Sequence, residues 1–336
     1  MYELGWSQHE SGDDASASEQ FNQLISRYPN ASVAADAAYF VGQQKYKASD
    51  WVAAAKQFRI AADKAQEDGL SEKAYYRLGW SHFKAKQFEE AETAFKTQSD
   101  KHPEGRLSFD ATMMVGECRF KASKFPEALE AYRVARERIQ QKNESSKNLR
   151  DPAEKQIREL VLLHGGQCAA QTKAWDEALS WYQELRERFP ATGYLSQAFY
   201  ESGFAHQQKN ERDKAIKLYS QVADNYRNEV AARARFMMGE IYFGQRTFDK
   251  AIPEFQRVMF GFGADRAPVA IKNWQAKSGF EAARCSELML QQARTDEAKT
   301  KARNFALKFY QFVVDKHPDH ELAGKSRERI KTLSKS

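Results

Sequence analysis

Apolar positions along this chain recur in columns, with polar residues between them. Residues 74–103, AYYRLGWSHFKAKQFEEAETAFKTQSDKHP, show the unit most clearly. Tyr76, Trp80 and Phe83 are spaced by four and three residues, so they share one face of a helix. Ala91 and Phe95 are four apart in the segment that follows, and Pro103 closes it. The pattern predicts one helix–turn–helix unit, with Gly79 where the first helix lets the second come close.

The unit is repeated. Gly5, Gly42, Gly79 and Gly116 are each 37 residues apart, and Gly166, Gly203, Gly239 and Gly279 continue the series. Twelve residues after seven of these stands an alanine: Ala17, Ala54, Ala91, Ala128, Ala178, Ala215 and Ala251. Four residues further comes an aromatic: Phe21, Phe58, Phe95, Tyr132, Tyr182, Tyr219 and Phe255. Proline ends the unit at Pro29, Pro103 and Pro190, and an eighth unit with an insertion keeps Ala306, Tyr310 and Pro318. Each column has a physical reason. Glycine and alanine let helices pack at about 8–10 Å between axes. The aromatic is expected to fill the gap between units, and proline cannot continue a helix. A fixed period of this size predicts stacked units that bury a shared core.

The Gly, Ala, aromatic and Pro columns resemble the tetratricopeptide repeat over nearly the whole chain. The resemblance implies an all-α protein: a right-handed α-solenoid of about eight repeats over residues 1–318, closed by a capping helix over 319–336. The aromatic–proline pairs Tyr28–Pro29 and Phe189–Pro190 add a further likeness, because a glycine follows the proline by 13 residues at Gly42, Gly116 and Gly203. This looks like the repeats of two bacterial envelope families: the periplasmic lipoprotein of the outer-membrane β-barrel assembly machinery, and the periplasmic coordinator of the Tol–Pal system. It implies a periplasmic or outer-membrane-associated scaffold. The alternative is a regulatory or sensor part of a longer cytoplasmic chain. Asparagine is missing where chaperone-binding repeats clamp a C-terminal carboxylate, since Gln43, Trp80 and Glu117 follow the glycines. That binding mode is not expected.

Composition refines the picture. A length of 336 residues would suggest two or three globular domains, but the unbroken period argues for one elongated array. A net charge of +6 is mild over this length. The nearest basic cluster, Lys325, Arg327, Arg329, Lys331 and Lys335, is diluted by Glu321 and Glu328, so nucleic acid is not an expected partner. Three cysteines, Cys118, Cys168 and Cys285, form no disulfide framework and read as small buried residues. No window approaches 18 consecutive apolar residues, so no transmembrane helix is expected. Gly5 has only four residues before it, which leads us to expect further chain, and any targeting segment, upstream. Asp50 is a candidate N-cap, and Asp151–Pro152 is expected to restart a helix after the polar stretch 143–150, whose deletion should be nearly neutral. Pro253 should kink its helix, and GFGADRAP, 261–268, reads as a loop.

No catalytic constellation is present: the chain has no Gly-x-Ser-x-Gly, Walker loop or His-Glu-x-x-His. His317 and His320 lack further ligands at metal spacing, and His102 and His317 stand in the column that holds Tyr28 and Phe189, so they read as packing residues. We therefore expect a non-enzymatic protein without cofactor or metal. In the repeats it resembles, first helices line the concave wall. Positions three before, one after and four after each glycine give Tyr39 and Tyr46; Tyr76, Trp80 and Phe83; Met113 and Phe120; Tyr200 and Phe204; Phe236 and Phe243; then Phe280. Repeat five interrupts the stripe with Leu163, Gln167 and Ala170, and Lys47, Lys84 and Lys121 flank it. The expectation is an aromatic-lined groove for protein or peptide segments, with Lys84 and Lys121 suited to acidic residues of the partner.

Overall fold

The computed structural model describes residues 1–141 and 152–335, which form seventeen α-helices and one short 3₁₀ turn, with no strand among them. Internal contacts divide the chain into two compact units, Met1–Trp181 and Tyr182–Ser336. The first contains α1 (Tyr2–Glu10), α2 (Asp14–Arg27), α3 (Ala34–Lys47), α4 (Trp51–Lys64), α5 (Asp68–Lys84), α6 (Phe88–Lys101), α7 (Ser108–Lys121), α8 (Phe125–Gln141) and α9 (Pro152–Gln171). Helix α10 (Trp175–Arg188) contains the boundary. The second unit continues with α11 (Leu195–Gln208), α12 (Arg212–Asn225), α13 (Glu229–Gly244), α14 (Phe248–Phe260), α15 (Val269–Gln292), α16 (Asp296–Lys316) and α17 (Glu321–Leu333). From α1 to α9, and from α11 to α17, each helix packs on the next in sequence. The array is built of helix–turn–helix pairs, as the period predicts.

The glycine column does more than allow a close approach. A Cβ on Gly79 would lie 2.7 Å from Cε1 of Phe95, inside the ring's contact radius. The same holds for Gly5 against Phe21, Gly42 against Phe58, Gly116 against Tyr132, Gly203 against Tyr219 and Gly239 against Phe255, all closer than 3.0 Å. The aromatic thus seats on the glycine of its own repeat, 16 residues back, and does not merely fill the gap between units. These rings are fully buried, and the alanines of the column are 0% exposed. In repeat five such a seat is made by Gly165, beside Gly166: it makes room for the buried Trp181, whose Cε3 would be 2.7 Å from a Cβ there. In repeat eight the seat is lost. A Cβ on Gly279 would meet Val313 and Phe312, while Tyr310 instead packs edge-on to Phe280.

The turns inside the repeats share one device. Seven residues after the glycine the backbone enters the left-handed region: Ser49, Lys86, Ser123, Lys173, Asn210 and Arg246 all have φ near +60°. In the first such turn Ala48, Ser49 and Asp50 donate N–H bonds of 3.0 Å to Gln44, Tyr46 and Lys45, which closes the helix end. Only repeat one places glycine there, at Gly12 with φ +86°. A side chain in this region is strained by roughly 1–2 kcal/mol, against which glycine costs about 0.5–1 in unfolded-state entropy. Lys86→Gly should therefore leave stability unchanged or raise it by up to about 1 kcal/mol. A thermal melt in which Lys86→Gly destabilises the protein by that amount would show that the lysine side chain makes a compensating contact.

Asp50 caps α4 by accepting from Ala53 N at 3.2 Å, as its sequence position predicts, and Asp13 caps α2 in the same way. Asp151 as an N-cap and the stretch 143–150 lie outside the described residues. Helix α14 runs across Pro253 without a break, and 261–268 is a loop containing the 3₁₀ turn Ala264–Arg266. The insertion of repeat eight lengthens both α15 and α16, with Thr295 capping the second. The three cysteines are free and buried. Burial pushes the Cys168 and Cys285 thiols up to about 12, so neither is a thiolate at neutral pH. His317 is buried edge-on to Phe312 at 5.4 Å. His102 is half-buried beside the Ser71 hydroxyl at 3.1 Å, and Phe189 is buried, but Tyr28 of the same column is 58% exposed.

Candidate partner-binding face

The aromatic positions of the first unit are joined into short chains of rings. On α5, Tyr76, Trp80 and Phe83 contact one another in sequence at centroid distances of 6.4 and 5.7 Å, and Phe83 meets Phe88 of α6 at 5.5 Å. Tyr76 and Trp80 also rest edge-on against Phe95. All four surface rings are half-buried, so part of each remains on the surface. The Tyr76 hydroxyl donates to Asp110 Oδ2 of α7 at 3.4 Å, and burial pushes its phenol up to about 12. This bond ties α5 to the next repeat. On α3, Tyr39 packs on Phe58, and Tyr46 meets Trp51 at 4.8 Å with the Arg77 guanidinium 5.6 Å above its ring.

Each of these outer rings has the same partner. Four of the residues that follow a glycine by four, Tyr46, Phe83, Phe120 and Phe243, pack edge-on against the aromatic that opens the next helix: Trp51, Phe88, Phe125 and Phe248. Repeat one replaces the ring pair with a polar one, His9 Nδ1 to Asp14 Oδ1 at 2.5 Å. That substitution explains why Asp14 stands where other repeats have an aromatic.

On α7, Phe120 is stacked on His164 of α9, with centroids 4.8 Å apart and rings 5° from parallel. His164 Nδ1 lies 2.5 Å from Glu117 Oε1, which also accepts from the Tyr132 hydroxyl at 2.7 Å. The buried Glu117 carboxylate is thus satisfied from α8 and α9 together. Nothing in the column pattern marks His164, because it stands two residues before its glycine, off the three positions used. Lys84 and Lys121 lie at the margin, their ammonium groups 5.9 Å from the Trp80 ring and 5.7 Å from the Phe120 ring.

Three positions of the expected stripe carry no surface. Met113, Tyr200 and Phe236 are only 4%, 2% and 9% exposed. At these three positions the column three before the glycine is turned into the packing, whereas Tyr39 and Tyr76 stay half-buried. In the second unit Tyr200 lies against Tyr219 and beneath the Arg233 guanidinium, and Phe236 is clamped between Phe255 and Trp274. Phe204 and Phe243 stay half-buried, with the Arg284 guanidinium 5.0 Å over Phe243. Trp274 and Arg233 stand outside the glycine-based columns, which is why the sequence does not reveal that they cover the stripe.

One carboxylate of the second unit is strongly perturbed. Glu240, the residue after Gly239, is pushed up to about 7 by burial and by the neighbouring Glu281, against the opposing charge of Arg284. A carboxyl whose folded value lies above its unfolded one binds its proton more tightly in the folded state. Stability from this group is therefore complete below about pH 4.5 and is lost as pH rises through about 7. Glu240→Gln should flatten that part of a stability–pH curve. An unchanged slope in the variant would assign the titration to another group.

The class of molecule follows from this geometry: an all-helical protein built of repeated helix–turn–helix pairs. Among the described residues there is no cluster able to hold a metal and no helix long and apolar enough to cross a membrane. Residues 1–151 match the profile of a tetratricopeptide repeat-like domain, and residues 200–265 that of a tetratricopeptide repeat. Both stretches are tetratricopeptide-repeat regions, a class that generally mediates protein–protein interaction. A search of curated proteins gives no significant match. Among solved structures, the signal transduction ATPase with numerous domains and a tetratricopeptide repeat sensor from Pyrococcus horikoshii is 16% identical, with 94% of this chain and 48% of that one covered and a TM-score of 0.55. The apo form of RapI is 13% identical over 95% and 82% of the two chains, with a TM-score of 0.54. A tetratricopeptide repeat protein from Parabacteroides merdae is 11% identical over 94% and 99%, with a TM-score of 0.50. At these identities the likeness is one of fold.

Proposed function

We propose that the chain is a non-enzymatic scaffold that binds segments of partner proteins along the first-helix face of residues 1–181, and that it works in the bacterial envelope. The observation that carries the binding reading is the run of half-buried rings on α3, α5 and α7: Tyr46, Trp80, Phe83 and Phe120. Their inner edges are fixed by packing, so they offer large apolar surface at little further cost in side-chain entropy. Such anchors dominate interfaces, at about 2 kcal/mol or more each.

The test is the double substitution Tyr76→Ala with Trp80→Ala, assayed by capture of partners from an extract of the native host. Capture should be abolished while circular dichroism stays helical and the melting temperature falls far less than for Gly79→Leu. If the double variant melts as badly as the glycine variant, these rings are core and the reading fails. If it stays folded and binds as before, the surface lies elsewhere. The compartment rests on the aromatic–proline columns alone. The open reading frame upstream of Met1 tests it: a signal peptide or lipobox cysteine supports the envelope, whereas a kinase or DNA-binding domain would replace it with a cytoplasmic regulatory role.

A further inference from the structure

Lys47, Lys84 and Lys121 are the last residues of α3, α5 and α7, each five after a register glycine and each exposed. They form a ladder with one rung per repeat at the rim of the aromatic face. Among the described residues none of the three makes an ion pair. Several acids of the same and adjoining helices are engaged elsewhere. Asp50 is occupied as an N-cap, Glu89 is paired with Lys124 at 2.9 Å and Glu92 with Arg119 at 2.8 Å. On the helices themselves Asp110 accepts from Tyr76, and Glu117 is held by Tyr132 and His164. The rim therefore presents lysines without an ion-pair partner beside apolar rings.

A lysine at a helix C-terminus has another use, since it offsets the helix dipole. That use does not explain the ladder. In the same final position α1, α9, α11 and α13 carry Glu10, Gln171, Gln208 and Gly244. The second helices α2, α4, α6, α10 and α16 also end in Lys or Arg, but among first helices the terminal lysines fall in the three consecutive repeats that also carry the exposed rings.

We infer that this rim holds an extended acidic segment whose carboxylates recur at every third residue, with apolar side chains between them. The inference rests on the proposed reading of the aromatic face as the binding surface and names the chemistry of its occupant. Successive first helices are linked directly, Arg77 of α5 over Tyr46 of α3 and Tyr76 of α5 to Asp110 of α7. Helices lying side by side are spaced by about 8–10 Å, which sets the order of the step from one rung to the next. An extended polyproline-II chain rises about 3.1 Å per residue with three residues per turn, so every third side chain faces the same way and three residues span one rung. Side chains on the other side of the segment then meet Trp80, Phe83 and Phe120.

The experiment is fluorescence anisotropy on the full chain with fluorescein-labelled synthetic 12-mers. One is four repeats of Asp-Leu-Ser, a second has the same composition with the aspartates in one block, and a third replaces aspartate by lysine. The period-three acidic peptide should bind most tightly, and more weakly as salt is raised. The triple variant Lys47→Glu, Lys84→Glu, Lys121→Glu should weaken it by about tenfold or more, and the triple glutamine variant by less. The inference is overturned if no peptide binds, if the basic or blocked peptide binds equally well, or if the glutamate variant binds as before. It is also overturned if the glutamine variant loses melting temperature yet binds unchanged, because the lysines then serve only the helix ends. If the lysine variants bind unchanged while Tyr76→Ala with Trp80→Ala abolishes binding, the aromatic face stands and only its acidic occupant falls.

Discussion

Gly79→Leu should destabilise the protein by about 3 kcal/mol, the upper end of the usual overpacking range. The ground is geometric: a Cβ at Gly79 already lies 2.7–2.8 Å from three atoms of the Phe95 ring, and leucine adds three more carbons to a fully buried site. Phe95 is also held by Tyr76 and Trp80 of the same helix as Gly79, which flank it edge-on. The strain must be relieved by pushing α5 and α6 apart. Chemical or thermal unfolding measures the loss. The double variant Gly79→Ala with Phe95→Leu, which trades ring volume for the methyl, should recover stability relative to Gly79→Ala alone. Additive losses in that pair would show that the ring and the glycine do not touch.

Truncation after Pro318 should have a comparable effect and make the protein aggregate. Helix α17 contributes the buried Leu333 and the half-buried Ile330 to the apolar cluster that contains Phe309, Tyr310 and Cys285. Full burial of such a side chain is worth about 1.5–3 kcal/mol, so Leu333 contributes in that range and Ile330 a fraction of it. Arg329 Nε also bonds to Glu287 Oε1 of α15 at 3.0 Å, and Ala323 and Ser326 are buried along the same helix. Removing α17 uncovers this cluster as exposed apolar surface, which is the expected failure of an uncapped repeat array. Light scattering and a thermal melt of the truncated chain provide the measurement. A monomeric product with an unchanged melting temperature would mean that α17 is no cap.

Much of this was legible in the sequence, because the column residues act through contacts that recur in every repeat. Gly79, Ala91 and Phe95 announce a helix pair whatever lies beyond it, and so do their copies. The stripe was less legible. Tyr76 keeps an exposed part, whereas Tyr200 and Phe236 in the same column do not. The difference lies in which residue of the following repeat comes to rest on them: Asp110 on Tyr76, but Arg233 on Tyr200 and Trp274 on Phe236. Asp110 and Arg233 stand at one position, six before the next glycine, and Trp274 five before its own, but the residue type there varies, so their effect appears only when the helices are placed side by side. His164 was missed for the same reason, as its role depends on Phe120 and Glu117, 44 and 47 residues earlier.

The seat of each aromatic on its own glycine also bears on how such an array can change over generations. Because ring and glycine are 16 residues apart within one repeat, the chain between repeats can lengthen without disturbing either. The interval between Gly116 and Gly166 is 50 residues where four of the others are 37, and the seats on both sides remain, at Tyr132 and at the Gly165–Trp181 pair. The insertion in repeat eight falls between glycine and ring, and there the seat is gone. Repeats of this kind are thus free to acquire sequence at their joints and are altered when they acquire it inside the hairpin.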